Sequence, residues 1–169
     1  QTITFLHQLE KNNSKEWMDV HREEYKKASG NFASFISSLI SGISKFDDTV
    51  SHLRPSECIF RINRDIRFST NKSPYKNNFG AYISAKGKKG GAAGYYLHVQ
   101  HGGCFLAGGI WMPEAKTLAA IRQEIDYNYE EWKKITASAL MKKQFPGGMD
   151  QSDKLVRPPK GYDEDNPAI

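Results

Sequence analysis

Cysteine is scarce in this sequence, and long apolar runs are absent. Two cysteines, Cys58 and Cys104, stand among 169 residues. Both fall in apolar runs that read as strands, and neither has the Cys-x-x-Cys or Cys/His company of a zinc site. Two isolated thiols also give no disulfide framework, so buried free thiols are expected. No apolar run is long enough to cross a bilayer, and no basic-then-apolar leader opens the chain. The expectation is a cytoplasmic protein with no membrane partner. Internal repeats and low-complexity tracts are missing too. The glycines from Gly87 to Gly94 are followed by no Gly-Lys-Ser/Thr and open no helix, which argues against a phosphate loop. Ser69 and Ser73 lack the Gly-x-Ser-x-Gly setting of a nucleophilic serine.

What is present is an ordinary globular composition, 38% hydrophobic and 25% charged, unlike that of a disordered chain. Hydrophobic spacing divides it into three parts. The first is helical, beginning with a short piece around Phe5, Leu6 and Leu9. Asn13 and Glu16 have the form of a capping box for a helix carrying Trp17, Val20, His21 and Tyr25 on one side. Asn31 is then expected to cap a helix whose Phe32, Phe35, Ile36, Leu39, Ile40 and Ile43 form a core-facing stripe. The middle part changes period. Cys58, Phe60, Ile62, Ile66 and Phe68 alternate with Arg61, Asn63, Asp65 and Arg67, which predicts a strand with one apolar face. Phe79 to Ala85, Gly94 to Gln100 and Cys104 to Trp111 follow as an antiparallel meander with glycine-rich turns. The last part returns to helix, first behind Pro113 with Leu118, Ile121 and Ile125 inward. A second helix is expected from Tyr129 to about Lys143 with Trp132, Ile135 and Leu140 inward. Together these predict one α+β domain over residues 1–169, its antiparallel meander packed against N-terminal and C-terminal helices.

Charge is distributed unevenly. Residues 61–76 hold Arg61, Arg64, Arg67, Lys72 and Lys76 against Asp65 alone: five positive charges less one negative leave four, beside a net charge of +5 for the whole chain. Guanidinium forks and compact ammonium groups in one segment suit a carboxylate or phosphate. Ser69, Thr70, Asn71 and Ser73 add neutral donors and turn-formers, and Pro74 keeps Ser73 out of the helical region. The expected ligand-binding set is Arg61, Arg64, Arg67, Lys72, Tyr75, Lys76 and Tyr95. Asp65 and His98 are the titratable groups that could serve as acid or base, and Tyr96 shares a strand face with His98. His98 and His101, three apart on a strand, point to opposite faces, so no metal site is expected there. Trp111, next to Gly109, could line a pocket floor.

The residues Phe5-Leu6, Asn12-Asn13, Glu16-Trp17, His21-Arg22 and Tyr25, then Arg61-Ile-Asn-Arg-Asp-Ile-Arg-Phe-Ser and Lys72-Ser-Pro-Tyr-Lys, run through nearly the whole chain to Gly94-Tyr-Tyr-Leu-His, Gly108-Gly-Ile-Trp-Met-Pro and Pro159-Lys-Gly-Tyr. In this order they resemble the DUF2461 family, whose function is uncharacterised. The resemblance implies a shared fold, a domain that continues past Asn166-Pro167, and no particular activity or cofactor. Function therefore has to be read from the basic segment. The first expectation is a pocket for an anionic small molecule, enzymatic or not. A nucleic-acid module is the alternative, with Lys86, Lys88 and Lys89 tracking phosphates beside Tyr82, Tyr95 and Tyr96. The third is a structural or protein-interaction domain whose charges are matched internally.

Overall fold

A computed structural model describes residues 1–68, 70–89, 91–148 and 155–168. Readings that fall on Ser69, Gly90, Asp150, Asp153 and Lys154 lie outside these residues. The chain forms two compact units, Gln1–Trp111 and Met112–Ile169. Among the described residues no helix is long and apolar enough to cross a membrane.

In the first unit, α1 (Thr2–Lys11) buries Phe5, Leu6 and Leu9. The second helix, α2 (Lys15–Val20), is capped by Ser14, whose hydroxyl accepts from the Trp17 N–H. The cap thus lies one residue after the expected Asn13, because the Asn13 amide is engaged elsewhere. Val20 is exposed rather than inward. Helix α3 (Arg22–Ile43) runs unbroken through Asn31, which caps nothing and accepts from Thr2 Oγ1 at 2.8 Å. Its Phe32, Ile36 and Ile40 are buried, Leu39 and Ile43 pack at the core edge, and Phe35 faces out.

The expected strand through Cys58 does not form. Pro55 sits in the first turn of a short helix, α4 (Pro55–Cys58), and the Glu57 carboxylate reaches back to the Arg54 N–H at 2.8 Å. Cys58 is therefore a buried helical thiol. Beyond it two isolated bridges stand among the described residues, Ile59 to Ala81 and Asn63 to Tyr75. Between Asp65 and Ser73 the described residues pair with no strand, and Ile66 and Phe68 are exposed despite their alternation. A period of two marks a strand only where a partner edge exists to pair with it.

The meander forms as expected. Strands β1 (Asn78–Ile83), β2 (Gly94–Gln100) and β3 (Phe105–Gly109) pair antiparallel in the order β1-β2-β3. Seven α-helices and this sheet make the described chain α+β. Phe79, Ala81, Ile83 and Leu97 are buried on one sheet face with α1 and α3, while Tyr95 and Val99 pack at its margin. Cys104 precedes β3 and is exposed, contrary to the expectation of a buried thiol.

The second unit contains α5 (Ala115–Tyr127), α6 (Tyr129–Ala137) and α7 (Ala139–Gln144). The single helix expected from Tyr129 is two: Ser138 is extended and its hydroxyl accepts from the Met141 N–H, which starts α7. None of these helices buries a residue. Leu118, Ile121, Ile125 and Trp132 are half-buried. Ile135 and Leu140 are exposed rather than inward.

Candidate functional site

The face of the sheet turned away from α1 and α3 is not covered flat but hollowed. The strand register places His98 beside Gly80 and Phe105, and Tyr96 beside Tyr82 and Ala107. Alternation therefore sends Tyr82, Tyr96, His98 and Phe105 to one side, while Ile83, Tyr95, Leu97 and Phe79 take the other. Small residues make the floor. A Cβ on Gly80 would stand 3.0 Å from the Tyr96 hydroxyl, so glycine there lets the phenol lie across the sheet. The hollow has a volume of about 810 Å³, with Phe60, Lys76 and Lys88 on one side and Trp111 on the rim.

The aromatic wall is tied together. The His98 and Phe105 rings stack with centroids 4.8 Å apart. His98 Nδ1 lies 3.0 Å from the Tyr96 hydroxyl, and its Nε2 lies 3.0 Å from Gln100 Oε1. An amide oxygen only accepts, so Nε2 carries the proton and Nδ1 accepts from the Tyr96 O–H. Burial pushes the Tyr96 phenol up, which keeps it a donor. The Tyr82 hydroxyl is 2.6 Å from the Ala92 carbonyl oxygen and 2.8 Å from that of Gly109, tying the chain just before β2 to the end of β3 that pairs with the start of β2.

Lys76 supplies the charge. Its ammonium lies 5.7 Å from the centre of the Phe60 ring. Burial, then Arg61 and Arg64, hold its amine below the usual lysine value. Two backbone bonds explain the neighbourhood: Arg64 N–H donates to Pro74 O at 2.9 Å and Lys76 N–H to Ile62 O at 2.8 Å. Residues 62–64 and 74–76 thus form a short antiparallel rung that brings Arg61 and Arg64 to Lys76. Tyr75, in the middle of that rung, turns its own amide groups the other way. There Asn13 receives both, with Tyr75 N–H donating to Oδ1 at 3.1 Å and Asn13 Nδ2 donating to Tyr75 O at 3.0 Å.

The predicted residues are thus divided among several places. Lys76 and His98 line the hollow. Arg61 is exposed and Arg64 half-buried nearby, with Arg64 Nε buried and lacking a hydrogen-bond partner among the described residues. Asp65 and Arg67 hold each other in a bidentate pair, Nη2 to Oδ2 at 2.7 Å and Nε to Oδ1 at 3.0 Å, on an exposed loop. That pair, with the Arg67 backbone N–H, keeps the Asp65 carboxyl below its usual range. Lys72 donates to the Ile66 carbonyl at 2.9 Å and closes the same loop. Tyr75 is a core residue. Tyr95 lies on the opposite sheet face from the hollow, donating to Asp47 Oδ2 at 3.1 Å. Lys88 turns inward to the carbonyls of Ser56 and Ile59 at 2.7 and 2.6 Å, away from any exposed lysine tip. Phe60, Lys88 and Phe105 were not singled out from the sequence for this site. Phe60 and Lys88 join through tertiary contacts alone, whereas the β2–β3 register would have placed Phe105 beside His98.

A meander with helices on one face and an aromatic-lined hollow on the other makes the first unit α+β. The chain belongs to DUF2461, a family of conserved hypothetical proteins, whose model matches residues 1–169. No curated protein and no solved structure matches it.

Proposed function

We propose that the hollow binds a small molecule carrying a phosphate or carboxylate on an apolar or aromatic body. One observation carries this reading: Lys76 is half-buried at the hollow and its ammonium has no salt-bridge partner among the described residues. Burying a cation without a counter-charge is unfavourable, and a bound anion would remove that cost. Arg61 and Arg64 add positive field, and the Tyr96, His98 and Phe105 wall supplies apolar contact with a hydroxyl edge. Binding fits better than acid–base turnover, because both nitrogens of His98 are already engaged by Tyr96 and Gln100.

Phenyl phosphate, with inorganic phosphate as the minimal probe, tests it by calorimetry and by the rise in melting temperature. Lys76→Met is expected to weaken phenyl phosphate roughly 10-fold or more, since a hydrogen bond to a charged group is worth about 1.5–3 kcal/mol. Lys72→Ala, out on its loop, is expected to leave affinity within about twofold, as for a surface charge. A parent protein whose melting is indifferent to both probes would refute the reading.

A pH dependence follows with a definite sign. The amine of folded Lys76 loses its proton below the ordinary lysine value, whereas the anion favours the ammonium form. Affinity is therefore expected to hold at neutral pH and to fall as pH rises through the lowered pKa, before 10.5 is reached. Stability of the free protein moves the opposite way, rising over that window as the cost of a buried charge disappears. Lys76→Arg keeps its charge and should carry the binding plateau to higher pH. Equal alkaline profiles for the parent and Lys76→Arg would count against Lys76.

A further inference from the structure

Three ligand-bearing side chains outside that hollow stand together. His7 and Glu10 are three residues apart on α1, a spacing that puts them on one side of the helix. His101 opens the turn after β2, where Gly102 at φ 71° sends the chain back toward β3. One ligand atom from each of His7, Glu10 and His101 lies within 4.8 Å of the other two. The two imidazole rings are 3.8 Å apart at their centroids, with planes inclined by 34°. Asn77 Nδ2 donates to Glu10 Oε1 at 3.0 Å and so orients the carboxylate.

A second observation is independent of this clustering. His7 Nδ1 is buried and has no hydrogen-bond partner among the described residues. A buried ring nitrogen without a partner is costly. A cation shared with His101 and Glu10 would satisfy it.

We propose that His7, Glu10 and His101 bind one divalent ion of the zinc class through two imidazoles and a carboxylate. Two nitrogens and one oxygen suit zinc, cobalt, nickel or copper better than calcium or magnesium. Ligands at the usual zinc distances stand roughly 3.4 Å apart around a tetrahedron, so modest side-chain rotation closes the trio. Three protein ligands leave the fourth position to water or an external molecule. Asn77 holds the carboxylate as outer-shell partners do. None of the three ligands lines the sheet hollow, so this site stands or falls apart from the anion reading.

Chelator-treated protein is titrated with Co(II), read by its visible absorption, and then with Zn(II) by competition. The full chain is expected to take up one Co(II) that Zn(II) displaces. His101→Ala should weaken Co(II) by roughly 100-fold or more, beyond the 10–100-fold typical of outer-shell changes. Glu10→Gln should cost at least roughly 10-fold, and His52→Ala should leave affinity within about twofold. His101 and Glu10 are exposed, so both variants are expected to keep the parent's melting temperature without metal. Absence of Co(II) uptake at micromolar concentration overturns the proposal. So does uptake that survives His101→Ala, or that is lost only in Cys104→Ser.

Discussion

Gly94→Ala is expected to lower stability by about 3 kcal/mol, at the upper end of what overpacking usually costs. A Cβ at position 94 would stand 2.4 Å from the Ile83 carbonyl oxygen and 2.7 Å from Ser84 Cβ. The first of these is backbone at the end of the β1–β2 ladder, so no rotamer change relieves it. The two strands must part, and with them the Tyr82 hydroxyl that spans from Ala92 to Gly109. For a unit of this size the melting temperature should drop by roughly 10–20 °C. Gly30→Ala provides the opposite sign. Gly30 sits inside α3 with nothing within 4 Å of a built Cβ, so alanine should gain about 0.5–1 kcal/mol. Thermal melts of the two variants side by side check the pair. Gly94→Ala melting with the parent would mean that β1 and β2 do not approach this closely.

Asn13→Ala is expected to cost about 2–3 kcal/mol and to weaken anion binding without touching the hollow. Its side-chain amide stands in for a strand neighbour on the one edge of Tyr75 that has no strand beside it. Removing it leaves a donor and an acceptor at a buried residue without partners, and each such loss costs roughly 1–3 kcal/mol. Asn13→Asp keeps the acceptor for the Tyr75 N–H and loses the donor, so about half of the effect should remain. Because Tyr75 carries Lys76 into place, the alanine variant should also bind phenyl phosphate more weakly well below its melting temperature. Full stability in Asn13→Ala would show that Tyr75 has other partners. Lost stability with unchanged affinity would separate the clamp from the site.

Asn13 also shows where reading along the chain stops. Its place before Glu16 suits a helix cap, and a cap does form, but at Ser14, three residues before the Trp17 N–H. What diverts Asn13 is a residue 62 positions away. The basic segment behaves likewise. Five cations in sixteen positions suggest one converging set. Yet Asp65 lies two residues from Arg67, close enough to pair with it locally, and Lys72 closes its own loop. Lys76, Arg61 and Arg64 are left together because one short rung brings positions 62–64 to 74–76. Tyr75 and Tyr95, polar enough to be offered as ligands, are drawn to the core and to Asp47 by the alternation of the backbone they sit on.

Short-range periodicity alone determined the α+β class, the three strands of the meander, the first helix and the core stripe of α3, because side-chain direction repeats every 2 or 3.6 residues whatever lies beyond. The clustering of positive charge marked Lys76, and local residue chemistry marked His98 and Trp111. Only the tertiary structure decided that the outer sheet face is hollow, that Phe60 and Lys88 border it, and that His101 meets His7 and Glu10. Those groupings depend on which segments finally lie side by side. Packing and loop closure between residues distant along the chain set that proximity, and local spacing carries no record of it.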